Sequence, residues 1–84
     1  MERLCKSLVA AFVFLEFSGD DVVDPDAAVG ASEAMAAELQ SASQEERAAF
    51  IRACAQEAVA SGDARVAQFI AELPLHIGIT GDEA

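Results

Sequence analysis

The chain has 84 residues and a formal net charge of −10 at pH 7, which fits one small domain. Leu, Ile, Val and Phe supply 22 of the 84 residues, more than the roughly 20% below which a charged chain stays disordered. Because an acidic surface repels phosphate groups, we expect neither nucleic acid nor an anionic membrane as a partner. No apolar run reaches the roughly 20 residues of a membrane span. We predict one helical domain over residues 1–80 and a disordered tail at 81–84.

The first predicted helix covers residues 2–18, where apolar residues recur at three- and four-residue steps. A helix that is apolar nearly all round is buried on most sides. Helix 1 is therefore predicted to be either the central helix of the fold or one half of a homodimer interface. Gly19 is expected to close it in the left-handed conformation. The main stripe comprises Leu4, Leu8, Ala11, Phe12 and Leu15, and it is widened by Cys5, Val9, Val13 and Phe17.

Capping residues mark the starts of the next two helices. Asp24 is a suitable N-cap and Pro25 a suitable first residue for helix 2, which is predicted over 25–41. Ser43 and Glu46 have the spacing of a capping box, which predicts helix 3 over 44–60. The predicted inward stripes are Ala28, Ser32, Met35 and Leu39 in helix 2, and Phe50, Ile51, Cys54, Ala55 and Ala58 in helix 3.

The fourth helix is predicted over 63–73, because Pro74 disfavours a helical conformation for Leu73. Beyond Pro74, apolar residues alternate with His76, Gly78 and Thr80, which is strand-like spacing. We expect an extended C-terminal tail that packs as a lid, with pairing to a partner's sheet edge as the alternative. The fold class is thus an all-α bundle of four helices. Its predicted core comprises Phe12, Leu15, Met35, Phe50, Phe69 and Ile70.

The two cysteines, Cys5 and Cys54, are too few for a disulfide framework. Both lie in apolar helical stretches, where a free thiol behaves as a small buried hydrophobe. We therefore expect buried free thiols, with a Cys5–Cys54 disulfide or a reactive thiol as alternatives. Free thiols point to a reducing compartment, here the cytoplasm. The apolar run 8–15 is similar to part of a secretory signal, but no small-residue cleavage pattern follows it.

The sequence predicts no catalytic, metal or cofactor site. His76 is the only histidine, and a hydrolytic triad needs a base oriented beside a nucleophile. Two cysteines and one histidine lack the spacing of a zinc site. Residues 20–26 contain four aspartates, but they do not have the glycine and glutamate positions of an EF-hand calcium loop. We expect a protein that is not an enzyme.

Acidic residues are concentrated in the middle of the chain. Residues 16–46 contain nine Asp and Glu and no Lys or Arg. Such a surface favours a basic protein partner and speeds the encounter at low salt. The alternative is that the acidity only keeps a small apolar protein soluble. The predicted partner-binding residues are Asp20, Asp21, Glu33, Glu38, Glu45 and Glu46.

Two protein families share features with this sequence. Residues 30–39, Gly-Ala-Ser-Glu-Ala-Met-Ala-Ala-Glu-Leu, resemble the segment of acyl carrier proteins that contains the Asp-Ser-Leu phosphopantetheine motif. Glu33 occupies the position of that serine, so a carrier role through Ser32 is a minor alternative. In size, acidity and helicity the chain is also similar to bacterial immunity proteins, which neutralise basic nuclease toxins. That analogy implies an inhibitor of a basic partner.

The leading hypothesis is a non-enzymatic, acidic interaction domain of the immunity or antitoxin type. A structural homodimer formed through helix 1 is the alternative from a different class.

Overall fold

The structure is a computed structural model and describes residues 1–79. Those residues form four α-helices and no β-strand, which confirms the predicted fold class. Thr80 and the tail predicted at 81–84 lie outside the described residues. The helices are α1 (Glu2–Phe17), α2 (Pro25–Gln40), α3 (Gln44–Ala60) and α4 (Ala64–His76).

The core lies between α1, α3 and α4. α1 and α3 each contact all three other helices, and α3 packs most extensively, on α4 and α1, so α3 rather than α1 is the most central helix. Phe50 of α3 is completely buried, and its ring meets that of Phe12 edge-on with centroids 6.0 Å apart. Edge-to-face aromatic pairs stabilise a core beyond the area that they bury. The buried residues are Cys5, Val9, Phe12, Leu39, Ala49, Phe50, Ala53, Cys54, Ile70, Leu73, Ile77 and Ile79.

Only part of the predicted core is buried in the structure. Phe12, Phe50 and Ile70 are buried as expected, whereas the other three predicted residues are only half-buried. In α1 the buried face consists of Cys5, Val9 and Phe12, so it is rotated by about one residue from the predicted stripe. The reason is that α1 is apolar on several sides, so periodicity alone did not select the face that meets α3. The half-buried residues of the predicted core are Leu15, Met35 and Phe69.

The helix starts follow the predicted capping residues. The Asp24 carboxylate accepts the Ala27 N–H at 3.0 Å, and Pro25 is the first residue of α2. Ser43 and Glu46 form both hydrogen bonds of a capping box, at 3.0 and 2.9 Å. Asp63 caps α4 rather than lying within it, since its carboxylate accepts two N–H groups of the first turn. Each cap satisfies backbone donors that have no partner within the helix.

Gly19 does not close α1 as predicted. α1 ends because Ser18 is extended, with ψ of 139°. Within residues 1–79, Gly78 alone adopts a positive φ. The chain then turns through hydrogen bonds from the Val22 and Val23 N–H groups to the Gly19 carbonyl. An extended residue is therefore sufficient to end this helix without left-handed backbone.

The end of α4 differs most from the prediction. The helix continues through Pro74 to His76, so neither its predicted end at Leu73 nor the extended tail at 75–79 is correct. Pro74 has no backbone N–H, so the helix loses one hydrogen bond at this position. Its ring is buried in the core. Burial of Ile77 and Ile79 comes from the closing turn after the helix, not from a strand.

A Schellman motif closes α4. The Ile79 N–H donates to the Pro74 carbonyl at 2.9 Å, and the Gly78 N–H donates to the Leu75 carbonyl at 3.2 Å. Gly78 has φ of +80°, which is the left-handed conformation that this motif requires at its first residue after the cap. Pro74 and Ile79 are both buried, as the apolar contact of the motif demands.

Polar side chains fasten the end of α2 to its neighbours. The Gln40 side-chain amide donates to the Ile77 carbonyl at 2.7 Å. The Arg47 guanidinium donates to the carbonyls of Gln40 and Ala42 at 3.3 and 3.0 Å. These bonds satisfy carbonyls at the ends of α4 and α2 that have no helical partner. The C-terminal end of α2 is thereby held, together with Leu39, its one buried residue.

We expect Gly78→Ala to lower the free energy of unfolding by about 1–2 kcal/mol, because an alanine Cβ is strained in the left-handed conformation. That Cβ would also lie 3.2 Å from the Gln40 amide nitrogen. Gly30→Ala is the matched control: it lies in α2 with open space around it, so it should stabilise the protein by roughly 0.5–1 kcal/mol. Urea unfolding of both variants tests this, and equal changes in the two would contradict the closing turn.

Candidate functional site

The six acidic residues predicted to bind a partner are all exposed. Asp20 and Asp21 lie in the turn between α1 and α2, and Glu33 lies within α2. Glu38 is also in α2, and Glu45 and Glu46 are in the first turn of α3. Glu46 also serves the capping box, so its carboxylate has a structural role as well.

These residues do not form one compact patch. The 16 residues of α2 span about 24 Å at 1.5 Å per residue, and they separate Asp20 and Asp21 from Glu45 and Glu46. Glu33 and Glu38 are about 140° apart around the helix axis, at about 100° per residue. The acidic surface is instead distributed along both ends and two sides of α2. Their role in binding stays a prediction.

The acids of residues 16–46 have no cationic partners within the described chain. Over residues 1–79, no Lys, Arg or His nitrogen lies within 4.0 Å of any of these nine carboxylates. Lys6 pairs with Glu2 and Glu57, at 3.7 and 3.9 Å. Arg47 binds backbone carbonyls, and Arg65 lies over the Phe17 ring, 5.7 Å from its centroid. The negative potential around α2 is therefore neutralised by no close ion pair within residues 1–79, although the Arg47 guanidinium lies at the C-terminal end of this helix.

An apolar groove with acidic edges opens between the end of α1 and the start of α2. It has a volume of about 170 Å³. Val29 is 56% exposed there, and Leu15 forms the opposite apolar wall. Glu16 and Glu33 are its only charged lining residues. We name it the Val29 groove; it is lined by Leu15, Glu16, Ala28, Val29, Ser32 and Glu33.

A second groove lies at the other end of the same two helices. It also has a volume of about 170 Å³, and Leu4 in its lining is 71% exposed. Glu46 supplies the one charged side chain in its lining. We name it the Leu4 groove, and the two grooves together the α1–α2 seam. It is lined by Met1, Leu4, Cys5, Leu8, Leu39, Ala42 and Glu46.

The α1–α2 seam is open because the side chains of α2 are small. Six of its 16 residues are alanine, and a methyl group covers little of a facing leucine. Leu8 and Leu15 of α1 are consequently only half-buried beneath it. Leu4, Leu8 and Leu15 of the predicted main stripe of helix 1 thus lie along a partly open seam, whereas Phe12 of the same stripe is buried in the core.

A third groove differs in charge. It lies between α1, α3 and α4, with a volume of about 400 Å³ and Phe14 on its edge. Phe14 is 53% exposed, which agrees with its position outside the predicted stripe. Lys6 and Glu57 line this Phe14 groove, so its charged residues sum to zero.

Glu16 lines the Val29 groove but is not among the residues that the sequence predicts to bind a partner. Its position directly after Leu15 at the end of helix 1 was visible in the sequence. That signal was insufficient without knowing that α2 returns beside this end of α1. Glu33 was selected for its charge, and the structure places it on the same groove.

The groups with potential for catalysis do not converge. His76 is exposed, and its Nε2 lies 3.8 Å from a Glu72 carboxylate oxygen on the same helix. Both cysteines are free and buried. In the described residues, no group of three or more His, Cys, Asp or Glu is arranged to hold a metal ion.

Burial raises the pKa of the Cys54 thiol from 9.0 to about 12, and the neighbouring Cys5 thiol adds to this effect. Cys54 is only 2% exposed, so its thiolate would lose hydration without gaining a partner. Because the thiolate is the reactive form, this site is inert at neutral pH.

We expect the raised pKa of Cys54 to make the folded protein less stable in alkaline solution. The unfolded chain loses the thiol proton near pH 9, whereas the folded protein keeps it until about pH 12. The free energy of unfolding therefore falls as the pH rises through this interval and is unaffected by Cys54 below it. Urea unfolding at pH 8 and pH 10 should show a smaller decrease for Cys54→Ala than for the wild type. An equal decrease would show that Cys54 does not titrate this way.

Comparison with known proteins gives no relative: no protein-family model, curated protein or solved structure matches the chain. No helix within residues 1–79 is long and apolar enough to cross a membrane.

Proposed function

We propose that this protein is a non-enzymatic, acidic interaction domain that binds a basic partner protein. The observation that supports the proposal is the set of nine carboxylates in residues 16–46, none of which has a cationic partner in the described chain. Its most concrete form is an immunity or antitoxin-like inhibitor, which covers the basic surface of a toxic protein.

Electrostatics favours this function over a passive one. Carboxylates without cationic partners lie on both ends and two sides of α2, and their mutual repulsion reduces the stability of a folded protein. A basic partner would neutralise them, and the attraction would accelerate association at low salt. An acidity that served solubility alone would not require the complete exclusion of Lys and Arg from 31 consecutive residues.

The surroundings of the nucleophilic groups favour a binding role over catalysis. Cys54 is held as a neutral thiol, and His76 faces solvent beside Glu72. General base catalysis needs a base within hydrogen-bond reach of its nucleophile. The proposal also includes a cytoplasmic location, because buried free thiols suit a reducing compartment.

The test is native mass spectrometry of the protein isolated gently from its own source. We expect a co-purifying basic protein that is released as salt rises, because screening weakens contacts between exposed charges. The double variant Glu33→Gln/Glu38→Gln should release it at lower salt than the wild type. The control Glu2→Gln/Glu72→Gln removes the same charge elsewhere and should behave like the wild type.

A bare protein of unmodified mass in this experiment would contradict the proposed partner and leave solubility as the role of the acidic surface. Equal loss of the partner in both double variants would show that only total charge matters. A mass increase removed by Ser32→Ala would instead identify a carrier protein.

A structural homodimer is the second candidate, and the Phe14 groove favours it. Phe14 on the edge of this groove is 53% exposed, and pairing with a second copy would bury it. A two-fold axis on this face could bring Lys6 of one copy to Glu57 of the other, since such interfaces are self-complementary. The neutral charge of this groove keeps the repulsion between two acidic copies low on this face.

If this dimer forms, sedimentation analysis should show it persisting in about 1 M salt, where the screening length is only about 3 Å. Phe14→Ser should then give monomers, whereas Val29→Ser, on the opposite side of α1, should not. A monomer at all salt concentrations and at high protein concentration would exclude this candidate.

A further inference from the structure

We propose that the α1–α2 seam is the docking groove for an amphipathic basic helix of the partner protein. This inference rests on the proposed function, because it assigns the place and the chemistry of that same interaction. The occupant would bury apolar side chains in the Val29 and Leu4 grooves and place Lys or Arg beside the acids on their edges.

The Val29 groove combines apolar walls with acidic edges. Leu15 and Val29 supply the apolar walls of the Val29 groove, and Glu16 and Glu33 are its only charges. Neither carboxylate has a cationic partner within residues 1–79. Helix-in-groove recognition uses this pairing of an apolar groove with complementary charge at its rim.

The Leu4 and Val29 grooves are spaced along α1 so that one ligand helix can reach both. Leu4 and Leu15 are 11 residues apart on α1, which corresponds to about 16 Å along the helix axis. Eleven residues are also about three helical turns, so side chains with this separation project from one face of a ligand helix. The expected ligand therefore has two large apolar residues about 11 positions apart, flanked by Lys or Arg.

α2 is attached to the rest of the fold mainly at its C-terminal end. Leu39, Gln40 and the contact with Arg47 hold its C-terminal end. Its N-terminal half has no buried residue and contains Gly30 with open space around it. This half can move away from α1 at small energetic cost, which would widen the Val29 groove for an incoming helix.

A second copy of this chain fits the α1–α2 seam less well. Every charged side chain that lines either groove is acidic, so a symmetric pairing of seams would bring like charges together. An extended peptide that adds to a sheet edge is also disfavoured, because the described residues form no strand.

Two synthetic 18-residue peptides of identical leucine and lysine composition provide the test. In one, leucine lies on one helical face; in the other, the order is scrambled. At about 150 mM salt, where the screening length is about 8 Å, calorimetry should show the amphipathic peptide binding about tenfold tighter. Equal affinities would mean that charge alone drives binding, and they would overturn the seam. Absence of binding by both peptides would overturn it as well.

Matched variants locate the binding site of the amphipathic peptide. Val29→Asp should weaken it about tenfold, whereas Val59→Asp adds the same charge to an exposed valine outside the seam and should not weaken it. Glu33→Gln should weaken binding more than Glu38→Gln, which lies on another side of α2. Equal effects within either pair would overturn the assignment to the seam.

The outcomes separate this inference from the proposed function. A native basic partner that is released by Glu33→Gln/Glu38→Gln, without peptide selectivity, supports the acidic interaction domain and refutes the seam. Selective peptide binding at the seam, with no native partner, supports the groove and contradicts the proposed function. A dimer that Val29→Asp dissociates would assign the seam to a second copy and overturn the inference.

Discussion

The architecture depends on the packing of α3 against α1 and α4 around Phe50. This ring has no exposed surface and meets Phe12 edge-on, so it joins α3 to α1 in the centre of the core. α2 contributes one buried residue to that core. The protein is therefore best understood as a three-helix core with a fourth helix fastened to it at one end, by Leu39 and by the bonds of Gln40 and Arg47.

The small side chains of α2 also leave apolar surface of α1 uncovered. A helix rich in alanine cannot cover the leucines of α1, so apolar surface remains accessible where the uncompensated acids also lie. Covering α1 with larger side chains on α2 would bury more area and increase stability. The sequence keeps the smaller ones, and surface left open beside charged residues is the usual form of an interaction site. Under the proposed function, stability and binding thus make opposite demands on α2.

Features that depend on neighbouring residues were predictable, and features that depend on distant contacts were not. The caps at Asp24 and Ser43 are local, because the hydrogen bond returns within three residues. The continuation of α4 through Pro74 depends on core packing and on Gln40, which is 37 residues from its acceptor. For the candidate site, the composition was sufficient to predict that the acidic residues are exposed and form a negatively charged surface. The sequence did not predict that Glu16 and Glu33 line the same groove, because this depends on α2 packing beside the end of α1.

The lack of cations between residues 16 and 46 gives dissolved salt two opposing effects on this protein. Counterions screen the mutual repulsion of the carboxylates around α2, which favours the compact state. The same screening weakens attraction to a basic partner. The free domain would thus be most robust in the ionic conditions under which its complex is weakest. In dilute buffer the partner itself would supply the missing positive charge, so that association and folding of the α2 region become thermodynamically linked.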